Sequence, residues 1–173
     1  GSCVALNYGG DYFFSNCTFA NYWPNGFSNR RLPAVLLSDY FVNYDEDGNL
    51  VLYPDGSFEN AEFTNSIIYG SHSMELLIES YNNLQLNYLF DYCLTRINSD
   101  SLSYLEDPLI TNIINNEDPL FDSIPIVYEL DSLSPAIDAG LPAHAVEFPF
   151  DLKGNSRLDD DAPDLGAYEW MGG

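Results

Sequence analysis

The sequence predicts an all-β protein built from stacked coils of chain, and three observations carry that expectation. Short segments echo one another along the chain in a fixed order. Apolar side chains alternate with period two inside those segments, which is the spacing of a strand. Helical signals are few, because Pro and Gly punctuate the chain throughout.

The first echo joins Phe14-Ser15-Asn16-Cys17-Thr18-Phe19 to Phe63-Thr64-Asn65-Ser66-Ile67-Ile68, and more loosely to Phe90-Asp91-Tyr92-Cys93-Leu94. A second series runs ahead of the first. Val4-Ala5-Leu6 precedes Phe14, Val35-Leu36-Leu37 precedes Phe63, and Leu76-Leu77-Ile78 precedes Phe90, with Tyr128 and Leu130 as candidates for a fourth member. Two strands that recur in order, with connections of variable length, are what stacked coils produce. Asn16 and Asn65 fall where each coil turns, either as a ladder of stacked side chains or simply as turn formers. A β-sandwich is the rival fold, since it too shows short strands between turns. The one stretch with helical character is Asp107 to Asn115.

Between Leu37 and Phe63 lie 25 residues, against seven between Leu6 and Phe14. Alternating residues on either side of Asp45-Glu46-Asp47-Gly48-Asn49 predict a β-hairpin inserted near residues 39–60. Asp45, Asp47 and Asn49 have the alternation of a calcium loop, and calcium is the cation such a tip would take. Against this, the glycine comes early and Gly56 stands where a Glu ligand belongs. A solvated turn is the competing account, as it is for Asp159-Asp160-Asp161.

Five Lys and Arg stand against 27 Asp and Glu, a formal charge of −22. Such a surface excludes nucleic acid and anionic membrane as partners, because both are bound chiefly through basic side chains. No apolar run approaches the roughly 18 residues needed to span a bilayer. Cys3, Cys17 and Cys93 lack metal-binding spacing and are expected to pack inward as free thiols. A Cys3–Cys17 disulfide is the alternative in an oxidising compartment.

The last third of the chain contains Asp118-Pro119-Leu120-Phe121, Ser134-Pro135-Ala136-Ile137-Asp138-Ala139-Gly140, then Asp151, Gly154, Arg157 and Pro163-Asp164-Leu165-Gly166-Ala167-Tyr168-Glu169. This order resembles the C-terminal end of bacterial surface proteins of the "choice-of-anchor Q domain" type, which are right-handed parallel β-helices. The resemblance implies a parallel β-helix over residues 1–117, with residues 118–173 forming its last coil and C-terminal cap. It also implies an extracellular or cell-surface location, and it is silent on chemistry. A cap is expected to cover the unpaired strand edge of the final coil. Arg157 is expected to pair with Asp164 or Asp151 and pin the final loop. The chain opens mid-pattern, with Val4-Ala5-Leu6 already a strand, so the β-helix, an export signal and an anchor are expected upstream.

Three functions remain open on these grounds. The first is an enzyme, since parallel β-helices often process polysaccharides. A lyase would draw on Arg30, Arg31 and Arg96, and a glycosidase on two carboxylates. The second is a module binding a neutral or cationic glycan or a surface protein. Trp23, Tyr40 and Tyr44, with Arg30 and Arg31, are its candidate contacts among thirteen tyrosines and the other aromatics. The third is a structural or adhesive scaffold. A binder should show a contiguous aromatic patch, whereas a scaffold should stack its tyrosines internally.

Overall fold

The computed structural model describes residues 1–7, 9–22, 30–53, 59–81, 86–98, 102–123 and 127–172. The protein is all-β, with most of its strands in parallel sheets, and the chain makes successive passes through the same three sheets. The first pass consists of β1 (Val4–Leu6), β2 (Asp11–Ser15) and β3 (Thr18–Asn21). The second contains β4 (Val35–Ser38), then, beyond an inserted hairpin, β7 (Asn60–Thr64) and β8 (Ile67–Gly70). The third contains β9 (Leu76–Glu79), β10 (Tyr88–Asp91) and β11 (Leu94–Thr95). Short strands β12 (Ile110–Thr111) and β13 (Ile114–Asn115) follow.

Pairing between passes is parallel and in register. β1, β4 and β9 form the first sheet, β2, β7, β10 and β12 the second, and β3, β8, β11 and β13 the third. A sandwich built from antiparallel strands is therefore excluded. Antiparallel pairing joins the inserted hairpin, β5 (Phe41–Tyr44) with β6 (Leu50–Tyr53), and also β14 (Phe121–Ser123) with β15 (Val127–Leu130). Tyr128 and Leu130 thus belong to a terminal hairpin and not to a further parallel pass.

Register explains why the echoing residues recur. Phe14 lies opposite Phe63, and Phe63 opposite Phe90. Their rings stack at centroid separations of 4.7 Å, the spacing of neighbouring strands. Phe63 and Phe90 are fully buried with Leu37, Leu76 and Ile97 in the core that the three sheets share. Each such ring contributes about 1.5–3 kcal/mol by leaving water. The turn after the second sheet is equally regular. Asn16, Asn65, Tyr92 and Asn112 occupy it in successive passes at φ 53, 46, 51 and 52. Asn reaches this left-handed region at low cost, and the Asn65 amide donates to Asn16 Oδ1 at 3.3 Å. The two asparagines therefore form a ladder.

Residues 107–115 do not form the expected helix. Ile110 pairs with Phe90 and Ile114 with Leu94, while Asn112 and Asn116 at positive φ interrupt any helical run. The apolar spacing that imitates a helix comes from two strands separated by a turn. A single helical turn, α1 (Leu102–Leu105), precedes them.

The terminal segment spreads over the outer face of the third sheet. Phe121, Leu130, Ala136 and Leu165 pack with Ile67, Tyr69 and Leu94 in a second core. Strand β8 is consequently buried on both faces, which is why Ile67-Ile68-Tyr69 does not alternate. Gly166 reaches the sheet at φ 95, where a Cβ would come within 2.6 Å of Thr18 Oγ1. Ala167 N donates to that same hydroxyl at 2.9 Å.

All three cysteines are free. Cys93 packs inward in the core as expected, and burial pushes its thiol up to about 12. Cys3, just before β1, is exposed instead.

Candidate functional site

The residues singled out by sequence do not converge on one site. Trp23 lies outside the described residues. Tyr44 is 67% exposed on the projecting hairpin. Tyr40 lies at the hairpin's base, where its hydroxyl donates to Glu79 Oε2 at 2.6 Å. That hydrogen bond, with burial, pushes the phenol up to about 12. Arg31 is exposed.

Arg30 is not available to a ligand. Its guanidinium is buried in an ion pair with the fully buried Glu75, which also accepts from Ala34 N and His72 N, each at 2.8 Å. Arg96 comes to the same corner, where its carbonyl accepts from Glu75 N at 2.7 Å. There Nη1 donates to Gly70 O at 2.6 Å, and the guanidinium lies 5.2 Å over the Tyr69 ring. Both arginines are engaged in holding strand ends together, because a carboxylate and a carbonyl inside the fold need donors.

The hairpin tip behaves as a turn. Asp45 Oδ1 accepts from Asp47 N at 3.0 Å and Asn49 N at 2.7 Å, and Oδ2 accepts from the Asn49 amide at 3.2 Å. These bonds, led by those from Asn49, hold the Asp45 carboxyl below its usual range. Asp45 is thus turned inward onto its own loop, with Asp47 and Asn49, the other residues of the calcium set considered from sequence, as its donors. Among the described residues, no group of three or more His, Cys, Asp or Glu is arranged to hold a metal ion. Asp159, Asp160 and Asp161 are exposed.

A groove does form where the terminal segment crosses the second sheet, and its residues come from distant parts of the chain. Its floor is the outward side of β2 and β7. Inward Tyr12 and Phe14 place Phe13 and Ser15 outward, and inward Ala61 and Phe63 do the same for Glu62 and Thr64. Phe13 pairs with Glu62 and Ser15 with Thr64 across the two strands. The wall is α2 (Pro142–Ala145) with Glu147 and Phe148 after it. The groove has a volume of about 470 Å³. Phe13 is 66% exposed and Phe148 55%, so two flat apolar rings face solvent beside two carboxylates.

Hydrogen bonds fix the wall to the floor. His144 Nε2 lies 2.9 Å from Asp91 Oδ2, and Ser15 Oγ donates to His144 O at 3.1 Å. Asn65 clasps Leu141, accepting from its N–H at 2.9 Å and donating to its carbonyl at 3.0 Å. Burial opposes ionisation of Asp91, but hydrogen bonds from His144, Asn112 and Thr111 outweigh it and hold the carboxyl below its usual range. Past Phe148 the groove runs on into a second hollow of about 560 Å³, which shares Phe14, Ser15 and Phe148 and adds Phe150 and Leu152.

Beneath the exposed phenylalanines is a buried polar cluster. Arg157 pairs with Glu169, not with Asp164 or Asp151 as expected, and the two side chains are 3% and 2% exposed. Asp164 and Asp151 serve the backbone instead. Asp164 accepts from Asp138 N and Trp170 N at 2.8 and 2.6 Å, and Asp151 from Glu169 N, Lys153 N and Asn155 N. Burial, with the nearby Asp164 charge, pushes Glu169 up to about 7.

Sequence reasoning passed over Phe13, Glu62, His144, Glu147 and Phe148. One signal was present: Phe13 stands at the outward position between inward Tyr12 and Phe14. The tyrosines are divided between packing and display. Tyr22, Tyr69 and Tyr128 pack in the second core, whereas Tyr44, Tyr53 and Tyr81 are exposed. No family model, no curated protein and no solved structure matches the chain.

Proposed function

We propose that the chain is a right-handed parallel β-helix module of a secreted or cell-surface protein, with a structural or adhesive role. Residues 118–173 are its C-terminal cap, as the resemblance to the choice-of-anchor Q domain type implies. The observation that carries this reading is the in-register parallel pairing of three strands that recur in one order, pass after pass. A stack of that kind is a rigid support on which loops and insertions can vary. The hairpin at residues 41–53 and the strongly acidic surface suit a display role, and the groove beside α2 suits contact with a glycan.

The location is tested by protease treatment of intact cells that make the natural protein, with an antibody against this segment as the readout. Loss of the signal without lysis is the expected result. A signal that survives until lysis overturns the surface assignment. No helix among the described residues is long and apolar enough to cross a membrane.

A further inference from the structure

We infer that the groove between the second sheet and α2 binds an oligosaccharide carrying free amino groups, of the β-linked glucosamine type. The inference rests on the glycan-contact part of the reading above and names its chemistry.

Four features of the groove lead to it. Phe13 and Phe148 present flat, solvent-facing rings on its floor and wall, and such rings stack on the C–H face of a pyranose. Glu62 and Glu147 line the same space. Glu62 accepts one side-chain hydrogen bond, from Asn60 at 2.9 Å, and neither glutamate has a salt bridge among the described residues. Two carboxylates beside two aromatic rings favour a ligand that is both flat-faced and cationic. Lastly, the groove continues past Phe148 along Phe150 and Leu152, so its length suits an oligomer better than a single sugar.

Charge narrows the class further. A chain of formal charge −22 repels uronic-acid polymers and favours ammonium-bearing ones. The floor is a sheet face in which β7 is paired on both sides, with β10 and β2, while β2 is the edge strand of the sheet. A basic peptide lying across that face, between Phe13 and Phe148, has no backbone to pair with, and its amides stay with water. One added at the β2 edge would lie in the plane of the sheet and not over Phe13. Sugar hydroxyls and amines instead meet Glu62 and Glu147 directly.

The test is calorimetric titration of the purified chain at about 0.15 M salt, where long-range attraction is screened. Three probes are compared: a β-1,4-glucosamine hexamer, its fully N-acetylated counterpart, and hexalysine. The glucosamine hexamer is expected to bind most tightly. Phe13→Ala or Phe148→Ala should weaken it by about tenfold, and Glu62→Gln or Glu147→Gln should weaken it several-fold. Both phenylalanines are exposed, so these variants should keep the parent melting temperature, which is checked alongside. Hexalysine binding as tightly, or glucosamine binding indifferent to both phenylalanine changes, overturns the inference in favour of general attraction to a polyanion. If the N-acetylated hexamer binds equally well through Phe13 and Phe148, the requirement for an amine falls while glycan contact stands. If neither sugar binds, glycan contact at this groove falls too, and the β-helix scaffold is untouched.

Discussion

Replacing Arg157 with Ala withdraws the cation from a buried site that also holds Asp151, Asp164 and Glu169. The Arg157 and Glu169 side chains are 3% and 2% exposed, so water cannot take over the lost contact. Removing one partner of a buried pair costs about 3–5 kcal/mol, much of it the desolvation of the charge left behind. In a chain of 173 residues each kcal/mol moves Tm by about 2–4 °C, so Arg157→Ala should lower Tm by about 6–20 °C at pH 8. At pH 5 the drop should be smaller, because Glu169 then holds a proton and no anion is stranded. Differential scanning calorimetry at the two pH values measures both. A drop under about 2 °C at pH 8 would refute the coupling. A double change, Arg157→Met with Glu169→Met, should recover much of the loss, since a packed apolar pair needs no compensation.

Further outcomes follow from the same geometry. Glu169 ionises at about 7 in the folded chain against an ordinary 4.5, so between those values the folded state binds more protons. Its stabilising contribution is complete below about pH 4.5 and is lost as pH rises through about 7. Glu169→Gln should therefore flatten the fall in Tm between pH 5 and pH 8, and an unchanged pH profile would count against it. Asn65→Ala loses the clasp on Leu141 and puts Ala at φ 46. Urea denaturation should show a loss of about 2–4 kcal/mol, and a loss under about 1 kcal/mol would mean that the ladder is incidental. Cys3 is exposed and Cys93 fully buried, so a thiol reagent should label Cys3 at once and Cys93 only at the rate of unfolding. Rapid labelling of Cys93 would show that the core opens locally.

How far the sequence could be read depended on the range of the interaction involved. Phe14, Phe63 and Phe90 were legible as counterparts because inward positions in neighbouring strands meet the same demand for volume. Asn16 and Asn65 were legible because positive φ restricts which residues turn a corner, whereas Tyr92 hid the same turn behind an unlikely side chain. The segment 107–115 misled because two strands joined by Asn112 reproduce helical spacing by coincidence. Arg157 was recognised as a pin, but its partner was not, since Asp151, Asp164 and Glu169 all stood within reach along the chain.

By itself the sequence determined the alternating strands, the recurring order of the passes, the inserted hairpin and the excess of negative charge. These depend on side-chain parity, turn chemistry and composition, which are local or additive. Tertiary structure alone decided that the terminal segment covers the outer face of the third sheet, burying β8 on both sides. It also decided that Arg30 and Arg96 are held inside a corner, and that Phe13, Glu62, Glu147 and Phe148 share a groove. Residues more than eighty positions apart meet there because parallel register stacks the passes and the last segment folds back across them. No periodicity in the chain records that contact.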